Sequence, residues 1–197
     1  AALREYQLLP LLDMAYQGFG DGLDTDAYGV RLLVQQCPTV LVALSGSKNF
    51  GLYRDRIGGL LVTTPDRRDL QAATSQLVDI GRCLWSMPPA HGGEVVSHIL
   101  ASDELRLLWT GEVDAMRLRI GQLRQQLLTT LQQQGAGTRF AALAQQRGMF
   151  SWLNLTADET QRLRAEGGIY CAGGGRINVS GLRPSHMAAM ARLLASL

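Results

Sequence analysis

Between residues 103 and about 133, Val113, Met116, Ile120, Leu123, Leu127 and Leu131 recur at spacings of three and four. That spacing stacks them on one stripe of a single long amphipathic helix, which Gly135-Ala136-Gly137 ends. Arg117, Arg119 and Arg124 fall with several glutamines on the other face and read as solvated. A helix of this length is the natural boundary of the chain. It gives two expected domains, residues 1–102 and 103–197.

Before the long helix the chain alternates apolar runs with helical patterns. Runs at 8–12, 39–44 and 57–64 read as buried strands. Residues 27–36 form a short helix that Cys37-Pro38 closes. Thr64-Pro65-Asp66 reads as a helix start, with the Thr64 hydroxyl as cap and Pro65 in the first turn, and the helix runs to about Trp85. Its apolar face holds Leu70, Leu77, Ile80 and Leu84. Met87-Pro-Pro-Ala-His-Gly92 breaks it, and a shorter helix carries Val95, Val96 and Ile99. After the long helix come short elements: a helix near 140–147, strands at 148–153, 169–172 and 176–179, a helix opened by the capping box Thr156-Ala-Asp-Glu159 and stopped near Gly167, and a last helix through Met187, Met190, Leu193 and Leu194. The first part is therefore α/β, and the second a small α+β unit.

Charge and cysteine content exclude more than they indicate. Nineteen basic side chains against seventeen acidic ones give no field that suggests nucleic acid or a membrane surface. Cys37, Cys83 and Cys171 are far apart, and His91, His98 and His186 do not cluster, so neither a disulfide framework nor a metal site is expected. A reducing, cytoplasmic compartment fits. No run approaches the length of a membrane helix, and the N-terminus has no signal-peptide pattern. The chain starts almost directly in a core strand, as though in mid-architecture.

The chemistry-bearing residues sit where the first two strands end. Lys48 is the sole lysine, in the loop Ser45-Gly46-Ser47-Lys48-Asn49-Phe50-Gly51 after the apolar run 39–44. A lysine in a partly desolvated pocket is a nucleophile able to form a Schiff base; a lone loop lysine is more often solvated. Asp13, directly after the first strand, is either a turn cap or a ligand group, and as an isolated signal favours the cap. Arg82, late in its helix, equally suits a partner for the helix dipole.

Four stretches, in order, resemble the C-terminal half of the fold-type I pyridoxal-phosphate aminotransferases of the aspartate and aromatic amino-acid branch. They are Leu-Asp13-Met-Ala-Tyr16-Gln-Gly-Phe, the segment Ser45 to Arg56, Arg82 with Ser86-Met-Pro-Pro-Ala-His-Gly92, and Gly174-Gly-Arg176-Ile-Asn-Val179. The resemblance implies part of a large domain, a mostly parallel sheet with flanking helices, followed by a small α+β C-terminal domain. It implies pyridoxal 5'-phosphate as cofactor, an L-amino acid (aspartate or aromatic) and a 2-oxo acid such as 2-oxoglutarate as substrates, and a homodimer with shared active sites.

On this resemblance Lys48 becomes the Schiff-base lysine and proton carrier. Asp13 matches the carboxylate that keeps the cofactor's ring nitrogen protonated, and Tyr16 the phenol on its ring oxygen. Ser45, Ser47 and Arg56 match the phosphate ligands, Arg176 the fork for the α-carboxylate, and Arg82 the partner of a distal carboxylate in the neighbouring subunit's site. Gly46 stands where the family usually carries a bulkier residue.

Family chains are roughly twice as long, with an N-terminal arm, a helix start that completes the phosphate cradle, a ring that stacks on the cofactor, an asparagine beside Tyr16 and a tyrosine from the partner. The resemblance also implies a sheet order in which a strand from that other half lies between the first two strands, so that in this chain the slot is empty and two sheet edges are unpaired. Three readings follow: a fragment of an aminotransferase; an inactive half-chain that binds cofactor weakly or associates through open edges; or another fold-type I enzyme such as a lyase, against which Arg82 and Pro-Pro-Ala-His-Gly speak.

Overall fold

The computed structural model describes residues 2–197, the side chain of Arg4 excepted. The chain divides into two compact units. One comprises residues up to Gly18 and Gly22–Val113, the other Phe19–Asp21 and Asp114–Leu197.

The first unit is built on a three-stranded sheet in the order β1 (Leu11–Met14), β2 (Val40–Ser45), β3 (Gly58–Thr63). β1 and β2 are parallel, Leu11 opposite Leu41 and Asp13 opposite Ala43. Their crossover contains α2 (Tyr28–Gln36), as a parallel pair requires. β2 and β3 are antiparallel, Val40 opposite Thr63 and Ser45 opposite Gly58.

One expectation is corrected here. There is no empty slot between β1 and β2, because the main-chain groups of 11–14 bond directly to those of 41–44. β3 lies antiparallel to β2, because the loop 46–57 returns the chain without a crossover helix. The open edges are instead the outer sides of β1 and β3, each bonded on one side only among the described residues. The strand expected at 8–12 begins later: Ala2–Glu5 is a short helix, α1, and Leu8 and Leu9 are exposed.

Central strand β2 buries Val40 and Val42. α3 (Arg67–Trp85) starts two residues later than expected. Its cap is Asp66, whose carboxylate accepts from the Arg68 N–H at 2.7 Å, and Pro65 lies outside the helix. The apolar face of α3 is open to solvent: Leu70, Leu77, Ile80 and Leu84 are 39, 36, 53 and 63% exposed. With Leu60 and Val62 of β3, Leu70, Leu77 and Ile80 line a groove of about 1130 Å³. α4 (His91–Ala101) follows, and α5 (Asp103–Gln133) is the single long helix expected, with the Ser102 hydroxyl accepting from the Leu105 N–H at its start.

The second unit holds a dense core. Ile120, Leu123, Leu127, Leu128 and Leu131 of α5 pack with Leu163 of α6 (Ala157–Gly167) and Met187, Met190 and Leu194 of α7 (Pro184–Ala195). Burying one such side chain stabilises by about 1.5–3 kcal/mol. A two-stranded antiparallel ribbon, β4 (Phe150–Trp152) and β5 (Arg176–Asn178), lies in this unit, with Ile177 in the core. The expected capping box is present: Thr156 Oγ1 accepts from the Glu159 N–H, and Glu159 Oε2 from the Thr156 N–H. The stop is Gly168 rather than Gly167, in the left-handed region at φ 61° that a side chain disfavours.

Three readings fail in this unit. Residues 169–172 form no strand, only a bridge from Ala172 to Arg176. The helix near 140–147 is a 3-10 turn, Ala141–Gln145. Arg124 is not solvated but 7% exposed, because Ser151 and the Gly148 carbonyl take its N–H groups.

Candidate active site

β1 and β2 run parallel, so their C-terminal ends deliver residues to one side of the sheet, where open α/β sheets bind ligands. β1 ends at Met14, and Asp13 Oδ1 accepts from the Ala15 N–H at 3.1 Å. The cap role is thus realised with one oxygen; the other makes no hydrogen bond among the described residues. Tyr16 follows, 38% exposed. β2 ends at Ser45, and three residues later comes Lys48, half-buried.

The Lys48 ammonium lies between two aromatic faces, 5.1 Å from the centre of the Tyr16 ring and 5.3 Å from that of Tyr53. Cation–π attraction at such distances is worth about 0.5–1 kcal/mol at exposed sites. Lys48 makes no ion pair among the described residues.

A second cluster sits beside it. The Ser47 N–H donates to Ser45 Oγ at 3.2 Å, and Arg56 Nη1 donates to the Tyr53 carbonyl at 2.7 Å and to Ser47 Oγ at 3.4 Å. Arg56 has φ 51°, a left-handed conformation costing a non-glycine residue on the order of 1–3 kcal/mol. Its remaining guanidinium donors face no carboxylate within ion-pair reach among the described residues. Two hydroxyls and a guanidinium that has no counter-charge among the described residues suit a phosphate dianion. Gly46 fits the same packing: a Cβ there would meet Ile57 Cγ2 at 2.9 Å, so Ile57 fills the space of the missing side chain.

Arg82 lies in the last turn of α3, exposed and without an ion pair among the described residues. Arg176 belongs to the second unit, first in β5, its guanidinium 5.0 Å from the centre of the Phe150 ring.

The sequence did not reveal how the Lys48 loop is braced. Asn49, 8% exposed, donates from Nδ2 to the Gln17 carbonyl at 3.3 Å, tying the loop to the residue after Tyr16. Trp109 of α5 donates from Nε1 to the Asn49 carbonyl at 2.8 Å and stacks on Phe50, centroids 4.4 Å apart. Tyr53 was within the quoted motif without a role. The signal that was available is adjacency: Asn49 and Phe50 directly follow the lysine.

An amine, two phenols, two hydroxyls and a guanidinium gather at the strand ends of an α/β protein. The chain belongs to the family of class I and II aminotransferases, whose profile matches residues 1–194. It is 49% identical over 193 residues to the aromatic-amino-acid aminotransferase of Pseudomonas aeruginosa, covering 98% of this chain and 48% of that protein. To the aspartate aminotransferase of Escherichia coli it is 44% identical, covering 91% and 46%. The aromatic-amino-acid aminotransferase of Burkholderia pseudomallei, solved covalently bound to pyridoxal phosphate, superposes with a TM-score of 0.93 at 40% identity, covering 98% and 49%. The chain spans about half the length of these relatives. Among the described residues no helix is long and apolar enough to cross a membrane.

Proposed function

We propose that this chain is the lysine-bearing half of a pyridoxal-phosphate-dependent aminotransferase that exchanges an amino group between an L-amino acid, aspartate or aromatic, and a 2-oxo acid such as 2-oxoglutarate. The observation that carries the reading is the sole lysine held between Tyr16 and Tyr53, with Ser45, Ser47 and the unpaired Arg56 on the same loop. When bound, pyridoxal phosphate supplies an electron sink for the pair released as a proton leaves the substrate α-carbon.

This chain's residues supply the rest. Ser45, Ser47 and Arg56 would hold the phosphate. Lys48 Nζ would hold the cofactor through its aldehyde carbon and, once freed by the substrate amine, would carry the proton between the substrate α-carbon and the cofactor's C4′ carbon. Asp13 would keep the ring nitrogen protonated, and Tyr16 would donate to the ring oxygen. Arg176 grips the α-carboxylate in a two-pronged contact that a lysine cannot imitate, and Arg82 pairs with a distal carboxylate across a homodimer interface. Residues 1–102 are then the end of a large cofactor-binding domain and 103–197 a small C-terminal domain, in a cytoplasmic enzyme. The open edges of β1 and β3 and the uncovered face of α3 support the fragment reading, since exposed strand edges and apolar grooves of this size are covered in soluble proteins.

The test is direct. Incubation with pyridoxal phosphate and reduction with borohydride should place the pyridoxyl mass on the Lys48 peptide, with none in Lys48→Arg and less in Arg56→Ala. Turnover of aspartate with 2-oxoglutarate is assayed alongside. Absence of label on Lys48 would sink the cofactor role; label without turnover would leave this half-chain a cofactor-binding module.

A further inference from the structure

The second unit contains a cluster of arginines that the chemistry around Lys48 does not use. Arg117, Arg124 and Arg147 line a cavity of about 420 Å³ together with Gln122, Gln125 and Asp21. Arg124 projects from α5 and is 7% exposed. Its Nε donates to Ser151 Oγ at 2.9 Å and its Nη2 to the Gly148 carbonyl, both neutral acceptors. Among the described residues no carboxylate comes within ion-pairing distance of it.

A buried guanidinium without a counter-charge is costly, and burial is the main effect lowering its proton affinity, with the charge of Arg147 adding to it. Two cations close enough to disfavour each other therefore face one cavity. Arg117 adds a third: its Nη2 pairs with Asp114 at 2.8 Å, but its Nε is buried without a partner among the described residues. The single carboxylate in the lining, Asp21, bonds Arg147 Nε at 3.2 Å and is 61% exposed, so it covers the outer arginine rather than the buried one.

We propose that this cavity binds a compact oxyanion, a carboxylate or phosphate group seated among Arg117, Arg124 and Arg147, independently of the Lys48 site. The oxyanion meets the unsatisfied Arg124 charge, relieves its repulsion with Arg147, and shares Arg147 with Asp21. Planar guanidinium forks favour carboxylate and phosphate, whose paired oxygens match two parallel N–H donors, over chloride, which offers a single acceptor atom.

The experiment is thermal unfolding of the 197-residue chain with succinate or sodium phosphate at millimolar concentrations, against sodium chloride at equal ionic strength. A saturable rise in Tm of several degrees is expected, since a ligand of the folded state stabilises as the logarithm of its concentration over Kd. Arg147→Gln, at an exposed position that folding tolerates, should weaken binding on the order of tenfold, the loss of one charge-assisted contact. Asp21→Asn removes the internal competitor and should tighten it several-fold. Arg124→Gln should abolish the response where that variant folds. Repeating the titration on a polypeptide of the relatives' full length separates two sources of the same chemistry: retained binding identifies a free anion, and lost binding a carboxylate of the polypeptide itself. If succinate and phosphate do no more than chloride, or if Arg147→Gln and Asp21→Asn leave the response unchanged, the proposal is overturned and Arg124 is only a clamp between α5 and β4.

Discussion

Replacing Trp109 by Phe isolates the brace behind the Lys48 loop. Trp109 makes two separable contacts: the Nε1–H to the Asn49 carbonyl at 2.8 Å, and the stack on Phe50 at 4.4 Å with rings 7° from parallel. Phenylalanine keeps a ring for the stack and removes the donor. A hydrogen bond contributes about 0.5–1.5 kcal/mol net, and an acceptor stranded in a site only 8% exposed adds part of its desolvation cost. The expected loss is therefore about 1–2 kcal/mol, a factor of roughly 5–30 in the local opening equilibrium.

Amide hydrogen exchange reads that equilibrium at the bonds closing this loop, Gly46 N–H to the Ile57 carbonyl and Gly51 N–H to the Lys48 carbonyl. Both amides should exchange faster by that factor in Trp109→Phe, while amides in the core of the second unit, around Leu163, keep their rates. Trp109→Leu also loses the stack and should add about 0.5–1.5 kcal/mol. If the loop amides of Trp109→Phe stay within twofold of the parent, the indole N–H is not what holds Asn49 in place, and the bracing account fails.

Two other regions give independent tests. Thr156→Ala removes the cap hydroxyl of α6 and should cost about 1 kcal/mol in urea unfolding at pH 7. The Thr156 N–H and then Arg139 hold the Glu159 carboxyl below its ordinary value of 4.5. A carboxyl with a depressed pKa in the folded state stabilises above its unfolded pKa and loses that contribution as pH falls through the folded value, so the gap between the parent and Glu159→Gln should narrow as the pH falls below the ordinary 4.5; a gap that widens on acidification would contradict the assignment. On α3, Ile80→Glu and Leu84→Glu act on side chains 53 and 63% exposed. They should change stability by less than about 0.5 kcal/mol yet cut dye binding to exposed apolar surface and slow aggregation of the isolated chain. A loss of several kcal/mol would mean that this face is buried in solution.

Why some of this was legible and some not comes down to what each residue's pattern reports. Periodicity reports burial against whatever covers a face, wherever that cover comes from. On α5 the stripe Val113 to Leu131 is covered by its own chain, and apart from Met116, 38% exposed, the expected residues are buried. On α3 the same kind of stripe forms the expected helix but is exposed, because periodicity does not state what, if anything, covers a face. Polar exceptions ran the other way. Arg124 sat among residues read as solvated, and only the fold reveals that Ser151 and Gly148 reach it, since its partners are more than twenty positions away in sequence.

Topology failed for a different reason. Which strand neighbours β2 is set by main-chain bonds that every sequence can make, so the expectation of an intervening strand had no side-chain signal to correct it. The site was more legible than the sheet because its parts are local. Ser45, Ser47, Lys48 and Arg56 lie on one short loop, and a loop leaving a strand end carries its residues together whatever order the strands take. Bringing Tyr16 to Lys48 does need the sheet, and the parallel pairing of β1 with β2 supplies it directly: Met14 is opposite Leu44, so the chain leaves both strands at the same height and Tyr16 and Lys48 emerge side by side. With a strand inserted between them, about 4.8 Å more per strand would separate those ends, and the 5.1 Å contact between the ammonium and the ring would not exist. The corrected topology is therefore the one that the proposed lysine chemistry requires.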